Sequence, residues 1–177
     1  MEGEPSIQTM VEKSIVGDAE AFRLLVRALD GKLFSYVSYR TQTREDALDT
    51  LQDVFIDLWK ALPRFTYVSD EAFYRFLFTI AKRNVQHAWG RRKTVSLEEV
   101  GEVADTKEAQ TTEEKVVLHR ALQKLDEKAK DIVILRHWSG YSFKEIGVLL
   151  SMKEEAVRVR HHRALHTLGK TLHAYVT

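Results

Sequence analysis

Apolar residues along the first third of the chain recur at intervals of three and four. Phe22, Leu25, Val26, Leu29, Leu33 and Val37 share one face of a helix, and Leu48, Leu51, Phe55, Leu58 and Leu62 share one face of a second. Thr43 with Asp46 three residues on reads as a capping box opening the second helix, and Pro63 marks its end. A third helix is expected over 71–90 and is rich in aromatic residues: Phe73, Tyr74, Phe76, Phe78 and Trp89. Of these, Phe73 and Phe76, with Leu77 and Ile80, stand at core spacing. No segment sustains period-two alternation, so the chain is expected to be all-α.

The pattern stops at Lys93. Residues 94–112 offer few large apolar side chains and no face able to pack, so burial there cannot offset the entropy of ordering, and a flexible linker is expected. Helical spacing resumes with Val117, Leu118, Ala121, Leu122 and Leu125, then Ile132, Val133 and Leu135 in a separate helix. Two small helical domains follow, at 8–93 and 113–174, joined by the linker at 94–112.

Two capping signals lie nine residues apart near the end of the chain. Ser142 pairs with Glu145, and Ser151 with Glu154. Between them Phe143, Ile146, Leu149 and Leu150 describe about two helical turns; after them Met152, Ala156, Val157, Leu165 and Leu168 are expected inner positions of a longer, basic helix. A short helix, an abrupt restart and a longer basic helix form a helix-turn-helix, whose second helix enters the DNA major groove. Lys153, Glu155, Arg158, Arg160, His161 and Arg163 are then the candidates for base edges and phosphates.

Composition narrows the classes. The 177 residues carry 44% hydrophobic and 30% charged side chains and no cysteine, which excludes disulfides and thiol chemistry. No apolar run reaches the ~18 residues of a membrane span, and no signal peptide is visible at Met1–Pro5, so a cytoplasmic protein without membrane insertion is expected. The net charge of +1 hides a sequence of blocks. Lys82, Arg83, Arg91, Arg92 and Lys93 are basic; the stretch from Thr94 to Glu114 carries Glu98, Glu99, Glu102, Asp105, Glu108, Glu113 and Glu114 against Lys107; Arg158, Arg160 and Arg163 follow. His162 and His166 stand four apart, but no third metal ligand is spaced with them and no Gly-rich phosphate loop exists. No catalytic residue, metal or cofactor is therefore expected, and the chain is read as a non-enzyme.

At this point the motifs resemble a known family. Leu125-Asp126, Ile132–Arg136, Gly140-Tyr141-Ser142-Phe143-Lys144-Glu145-Ile146, Val157-Arg158, Arg160 and Arg163-Ala164 resemble the promoter-reading domain of bacterial sigma factors. Gly17–Phe22, Glu45-Asp46-Ala47 with Leu51–Trp59, Phe76–Ala81 and Arg91–Lys93 resemble the family's N-terminal domain, in the family's order. With two domains and an acidic linker, and no room for the extra N-terminal region or the central helical domain of housekeeping sigma factors, the chain resembles the extracytoplasmic-function type of the sigma-70 family. In places it departs: Arg83 stands where asparagine is common, and Gly147, Ser151, Ala156 and Val159 where alanine, glycine, threonine and serine are usual.

The resemblance implies a protein that binds core RNA polymerase, recognises minus-10 and minus-35 promoter elements and promotes melting. Asp46, Asp49, Asp53 and Asp57 line one side of the second helix, a row that suits either plain solvation or a basic partner. The resemblance assigns it to the clamp helices of the largest polymerase subunit, with Asp49, Gln52, Asp53 and Asp57 as contacts; the flap of the second-largest subunit is the other implied contact. Melted DNA offers unstacked bases and phosphates, which aromatic faces beside cations bind. Tyr67, Tyr74, Lys82, Arg83, Trp89, Arg91 and Arg92 supply that mixture for the minus-10 region and the non-template strand, and the helix-turn-helix residues are left for duplex DNA at minus-35. An anti-sigma factor is a further implied partner. The rival reading is a stand-alone helix-turn-helix repressor whose N-terminal domain dimerises or senses.

Overall fold

The computed structural model describes residues 5–95 and 113–176, with side chains placed over 5–88 and 117–173. Every regular element among them is helical: α1 (Ile7–Ile15), α2 (Ala19–Ser38), α3 (Arg44–Ala61), a 3-10 turn (Leu62–Arg64), α4 (Asp70–Val95), α5 (Glu113–Gln123), α6 (Glu127–His137), α7 (Phe143–Leu150) and α8 (Glu154–Val176). The chain divides into two compact units, one built on α1–α3 and on α4 as far as Gly90, the other on α5–α8. Helix α4 runs five residues past its expected end, so Thr94 and Val95 belong to it; the rest of the expected linker, 96–112, lies outside the described residues.

In the N-terminal unit one corner sets the path. Gly17 takes φ +91°, donating its amide to Ser14, while the Asp18 amide bonds back to Lys13. That closes α1 in a left-handed turn that only glycine adopts without strain. The Asp18 carboxylate then caps α2, accepting from the amides of Glu20 and Ala21, each at 3.0 Å. Met10, Val11 and Ser14 of α1 are buried. Leu25, Tyr36 and Val37 of α2, Val54 and Leu58 of α3 and Phe73, Leu77 and Val85 of α4 are buried too. Each large apolar side chain among them contributes about 1.5–3 kcal/mol by leaving water.

The stripe on α3 differs from the expected one. Leu51, Leu58 and Leu62 are buried, but Leu48 is 47% exposed and Phe55 only half-buried, while Ala47, Thr50 and Val54 point inward. Two sets of residues on this helix, 47/51/54/58 and 48/52/55/59, both satisfy helical spacing. Spacing alone does not say which of the two faces α2 and α4. On α4, Phe73, Leu77 and Ile80 are buried as expected, and Phe76 instead stacks on Phe65 at 4.6 Å.

In the C-terminal unit α6 is the central helix, buried from Ala129 to Leu135 on every side. Even Lys130 is covered, its ammonium held by Gln123 Oε1 at 3.2 Å and Glu127 Oε1 at 3.0 Å. The inner positions of α8 are Val157, Ala164 and Leu168; Ala156 and Leu165, expected inside, are exposed. Of α7, Ile146 and Leu149 are buried, and Phe143 and Leu150 are half-buried.

The turn between α7 and α8 is not built as the sequence suggested. Ser142 does cap α7, with Glu145 closing the box: Ser142 Oγ accepts from the Glu145 amide at 3.2 Å and Glu145 Oε2 from the Ser142 amide at 2.7 Å. Ser151, by contrast, ends α7 rather than starting α8. It sits in the left-handed region at φ 53°, and the Met152 amide donates to Gly147 O at 2.8 Å, a Schellman closure. Lys153 O accepts the first bond of α8 from the Val157 amide at 3.1 Å. The closure brings Met152 O within 2.7 Å of where a Cβ on Gly147 would lie. Ser151→Gly should therefore stabilise the C-terminal unit by about 1 kcal/mol, by removing the left-handed penalty on a side chain. Gly147→Ala should destabilise it by about 1–3 kcal/mol, since backbone must move. Hydrogen exchange at the Met152 amide, slower in the first variant and faster in the second, checks both.

Candidate polymerase and promoter interfaces

Helix α3 begins with the expected capping box: Thr43 Oγ1 accepts from the Asp46 amide at 3.1 Å, and Asp46 Oδ2 accepts from the Thr43 amide at 3.2 Å. Asp46 thus serves the helix end. Of the expected polymerase contacts on this helix, Asp49 and Gln52 are exposed and Asp53 is partly so. Asp57 is engaged differently. Its Oδ2 accepts from Arg83 Nη2 at 2.9 Å and Asn84 Nδ2 at 3.0 Å, tying α3 to α4. The Asn84 hydrogen bond first, then that of Arg83, holds the Asp57 carboxyl below its ordinary range. Two residues expected at different interfaces, Asp57 and Arg83, are bonded to each other.

Beside the acidic residues lies a feature the sequence reading missed. Phe22 and Val26 of α2 with Leu48, Phe55, Ile56 and Trp59 of α3 line an apolar groove of about 530 Å³. The Trp59 ring packs on Phe22 at 4.8 Å, and Ile56 is 41% exposed. The available signal was the number of apolar positions on α3, which exceeds what one helical face holds.

Along the approach to α4, the Tyr67 hydroxyl donates to the Asp70 carboxylate, which pushes the phenol up to about 12 and keeps it a donor. Tyr74 and Lys82 are half-buried on α4. The backbone of Trp89, Arg91 and Arg92 continues the helix; their side chains lie outside the described residues.

Helix α8 sorts its candidates into two groups. Lys153, Glu155 and Arg163 are exposed. Arg158 instead reaches Glu154 Oε1, from Nε at 3.1 Å and from Nη2 at 2.6 Å, and lies over the Phe143 ring at 5.0 Å. Arg160 donates to Asp126 Oδ1 at 3.2 Å, bracing α8 against the start of α6. His161 meets His137 of α6 with Nε2 to Nε2 at 2.9 Å and rings stacked at 5.1 Å. Arg136 covers Phe143 at 4.8 Å, so Phe143 collects two guanidinium groups and the edge of His161. Such contacts fix how α8 is turned on its unit and leave Lys153, Glu155 and Arg163 exposed. Among the described residues no cluster of three or more His, Asp or Glu gathers as a metal would require, and no helix is long and apolar enough to cross a membrane.

Comparison with known proteins converges on one family. The family model "Sigma-70 region 2" matches residues 25–95, and "Sigma-70, region 4" matches residues 115–168. The RNA polymerase sigma-H factor of Pseudomonas aeruginosa is 28% identical over 181 residues, 93% of each chain. The ECF RNA polymerase sigma-E factor of Escherichia coli K12 is 32% identical over 173 residues, 89% of each chain. Two solved structures share the fold. CnrH, in complex with the cytosolic domain of CnrY, gives a TM-score of 0.72 at 22% identity over 94% of this chain and 97% of that one. The sigma factor RpoE from Bartonella quintana, in complex with the anti-sigma factor NepR, gives 0.64 at 19% identity over 87% and 98%.

The imidazole pair has a consequence for stability. An N–H···N bond requires one ring nitrogen to be unprotonated. His161 is held below its ordinary 6.5, chiefly by burial, then by His137, Arg136 and His162. The unfolded chain binds a proton near 6.5 that folded His161 resists, so its contribution is present above about pH 6.5 and is lost as pH falls below that. Thermal melts from about pH 7.5 to 5.5 should show a steeper loss of stability in the wild type than in His161→Gln. Equal slopes would remove His161 as the cause.

Proposed function

The chain belongs to the sigma-70 family and is an RNA polymerase sigma factor of the extracytoplasmic-function type, and on that premise we propose how its surfaces divide the work. The apolar groove between α2 and α3 receives core polymerase, with Phe22, Phe55, Ile56 and Trp59 as its floor and Asp30 and Gln52 in its lining, and Asp49 and Asp53 on the same helix complete the contact. One observation carries this: α3 fills the core of its unit with one face and leaves a second apolar face open beside carboxylates. An apolar center flanked by charge is the anatomy of a protein–protein interface. The occupant is the clamp-helix region of the largest subunit, whose basic side chains meet the carboxylates.

Helix α4 and the turn before it take the minus-10 element and the melted non-template strand through Tyr67, Tyr74, Lys82, Trp89, Arg91 and Arg92. Arg83 acts there through its bond to Asp57, keeping the polymerase-binding and strand-binding helices in register. Helix α8 takes duplex DNA at minus-35, while its unit also meets the flap of the second-largest subunit. An anti-sigma factor is proposed as the regulatory partner, in keeping with the complex of RpoE with the anti-sigma factor NepR. The protein carries out no catalytic step of its own and works beside polymerase in the cytoplasm. Nothing among the relatives supports a repressor acting without polymerase.

Run-off transcription with purified core polymerase on a promoter library tests the assignment. Promoter-specific transcripts should depend on this chain. Burying one large apolar side chain is worth about 1.5–3 kcal/mol, so Ile56→Asp should cut transcription by about ten- to a hundredfold. Val16→Asp, at a site 83% exposed and outside the groove, should leave it unchanged. Tight binding to duplex DNA with no transcripts and no affinity for core would sink the proposal.

A further inference from the structure

Helix α8 turns once in 3.6 residues. With Val157, Ala164 and Leu168 buried, the row diametrically outward carries Glu155, Val159, His162 and His166. Three of these are polar; the fourth, Val159, is 50% exposed. A lone exposed apolar residue is ordinary on a protein surface. This one is placed on the sixth residue of α8, inside the opening turns that face base edges in a helix-turn-helix.

Its sequence neighbours do not share its direction. Arg158 turns aside to Glu154 and Phe143, and Arg160 turns to Asp126 on the far side. The middle of the outward row is thus a hydrocarbon with neither donor nor acceptor. Such a group cannot read the hydrogen-bond pattern of a base pair. What it can recognise in the major groove is the thymine C5-methyl, the one apolar group displayed there. β-Branching restricts χ1, so the two methyls are held in place and little rotamer freedom is lost on contact.

We propose that Val159 is a specificity-determining residue of the promoter-reading unit: it packs on the C5-methyl of a thymine in the upstream element and sets a preference for thymine at that position. This rests on α8 being the minus-35 reader.

The test uses holoenzyme formed from core polymerase and the full chain. A promoter is first selected by transcription from templates randomised in the upstream element. Each thymine of that element, on either strand, is then replaced singly by deoxyuridine, which removes the methyl and keeps every hydrogen-bonding group. One position should show a loss of binding of about three- to fivefold, the value of one buried methyl-sized group. Val159→Ala should lose a similar factor on the unmodified promoter and become indifferent to deoxyuridine there. Because the residue is exposed, unchanged melting of the variant confirms intact folding. Selection repeated with Val159→Ser should relax the preference at that base and at no other. Equal responses of wild type and Val159→Ala at every deoxyuridine overturn the proposal. Failure to select any promoter, with no affinity for core, refutes the sigma-factor assignment itself and the proposal with it.

Discussion

Helix α3 is apolar on more of its circumference than one core can cover, and this constraint organises the N-terminal unit. Ala47, Leu51, Val54 and Leu58 are taken by the core. Leu48, Phe55, Ile56 and Trp59 are left to form a groove with α2. A contiguous uncovered apolar surface is unfavourable in an isolated soluble chain and marks an interaction site. In a protein whose role is to join polymerase to DNA, that surface has a natural occupant. Under the proposed assignment the groove and the carboxylates beside it divide two tasks: the apolar floor supplies affinity, and the charges supply orientation and rate of encounter.

Polar residues in both units do more joining than their exposure suggests. Asp57 connects α3 to α4 through Arg83 and Asn84. Arg160 ties α8 to Asp126, and His161 ties α8 to His137. The two ion pairs among these, Asp57 with Arg83 and Arg160 with Asp126, are worth about 0–1 kcal/mol each. Their value lies in geometry: α3 is held in register with α4, and α8 is held at a fixed roll about its own axis. The roll decides which side chains meet a base. It takes Arg158 and Arg160 out of the outward row and leaves Glu155 and Val159 in it.

Much of this was legible along the chain, and the failures have specific physical causes. The boxes at Thr43/Asp46 and Ser142/Glu145 form as read, because capping is a local interaction completed within four residues. Ser151 with Glu154 shows the same spacing yet closes α7. Gly147 allows the chain to approach closely there, and that backbone closure outweighs the cap. Helix α1 escaped notice because its nine residues bury only Met10, Val11 and Ser14, too few for a periodic signal. The α3 stripe was misassigned because two faces fit the same period. Pairings across 26 or 34 residues, such as Arg83 with Asp57 or Arg160 with Asp126, have no local signature at all. The family resemblance names residues that lie on helices; which of their side chains remain available there required three dimensions.

The most direct test of the groove as the polymerase-binding surface is site-specific crosslinking. A photoreactive amino acid placed at position 56, and in a parallel preparation at position 16, is irradiated after mixing with core RNA polymerase. Crosslinking from position 56 to the largest subunit, with none from position 16, is the expected result. A silent position 56 in a protein that still supports transcription would contradict it, and would move the polymerase contact off the α2–α3 groove.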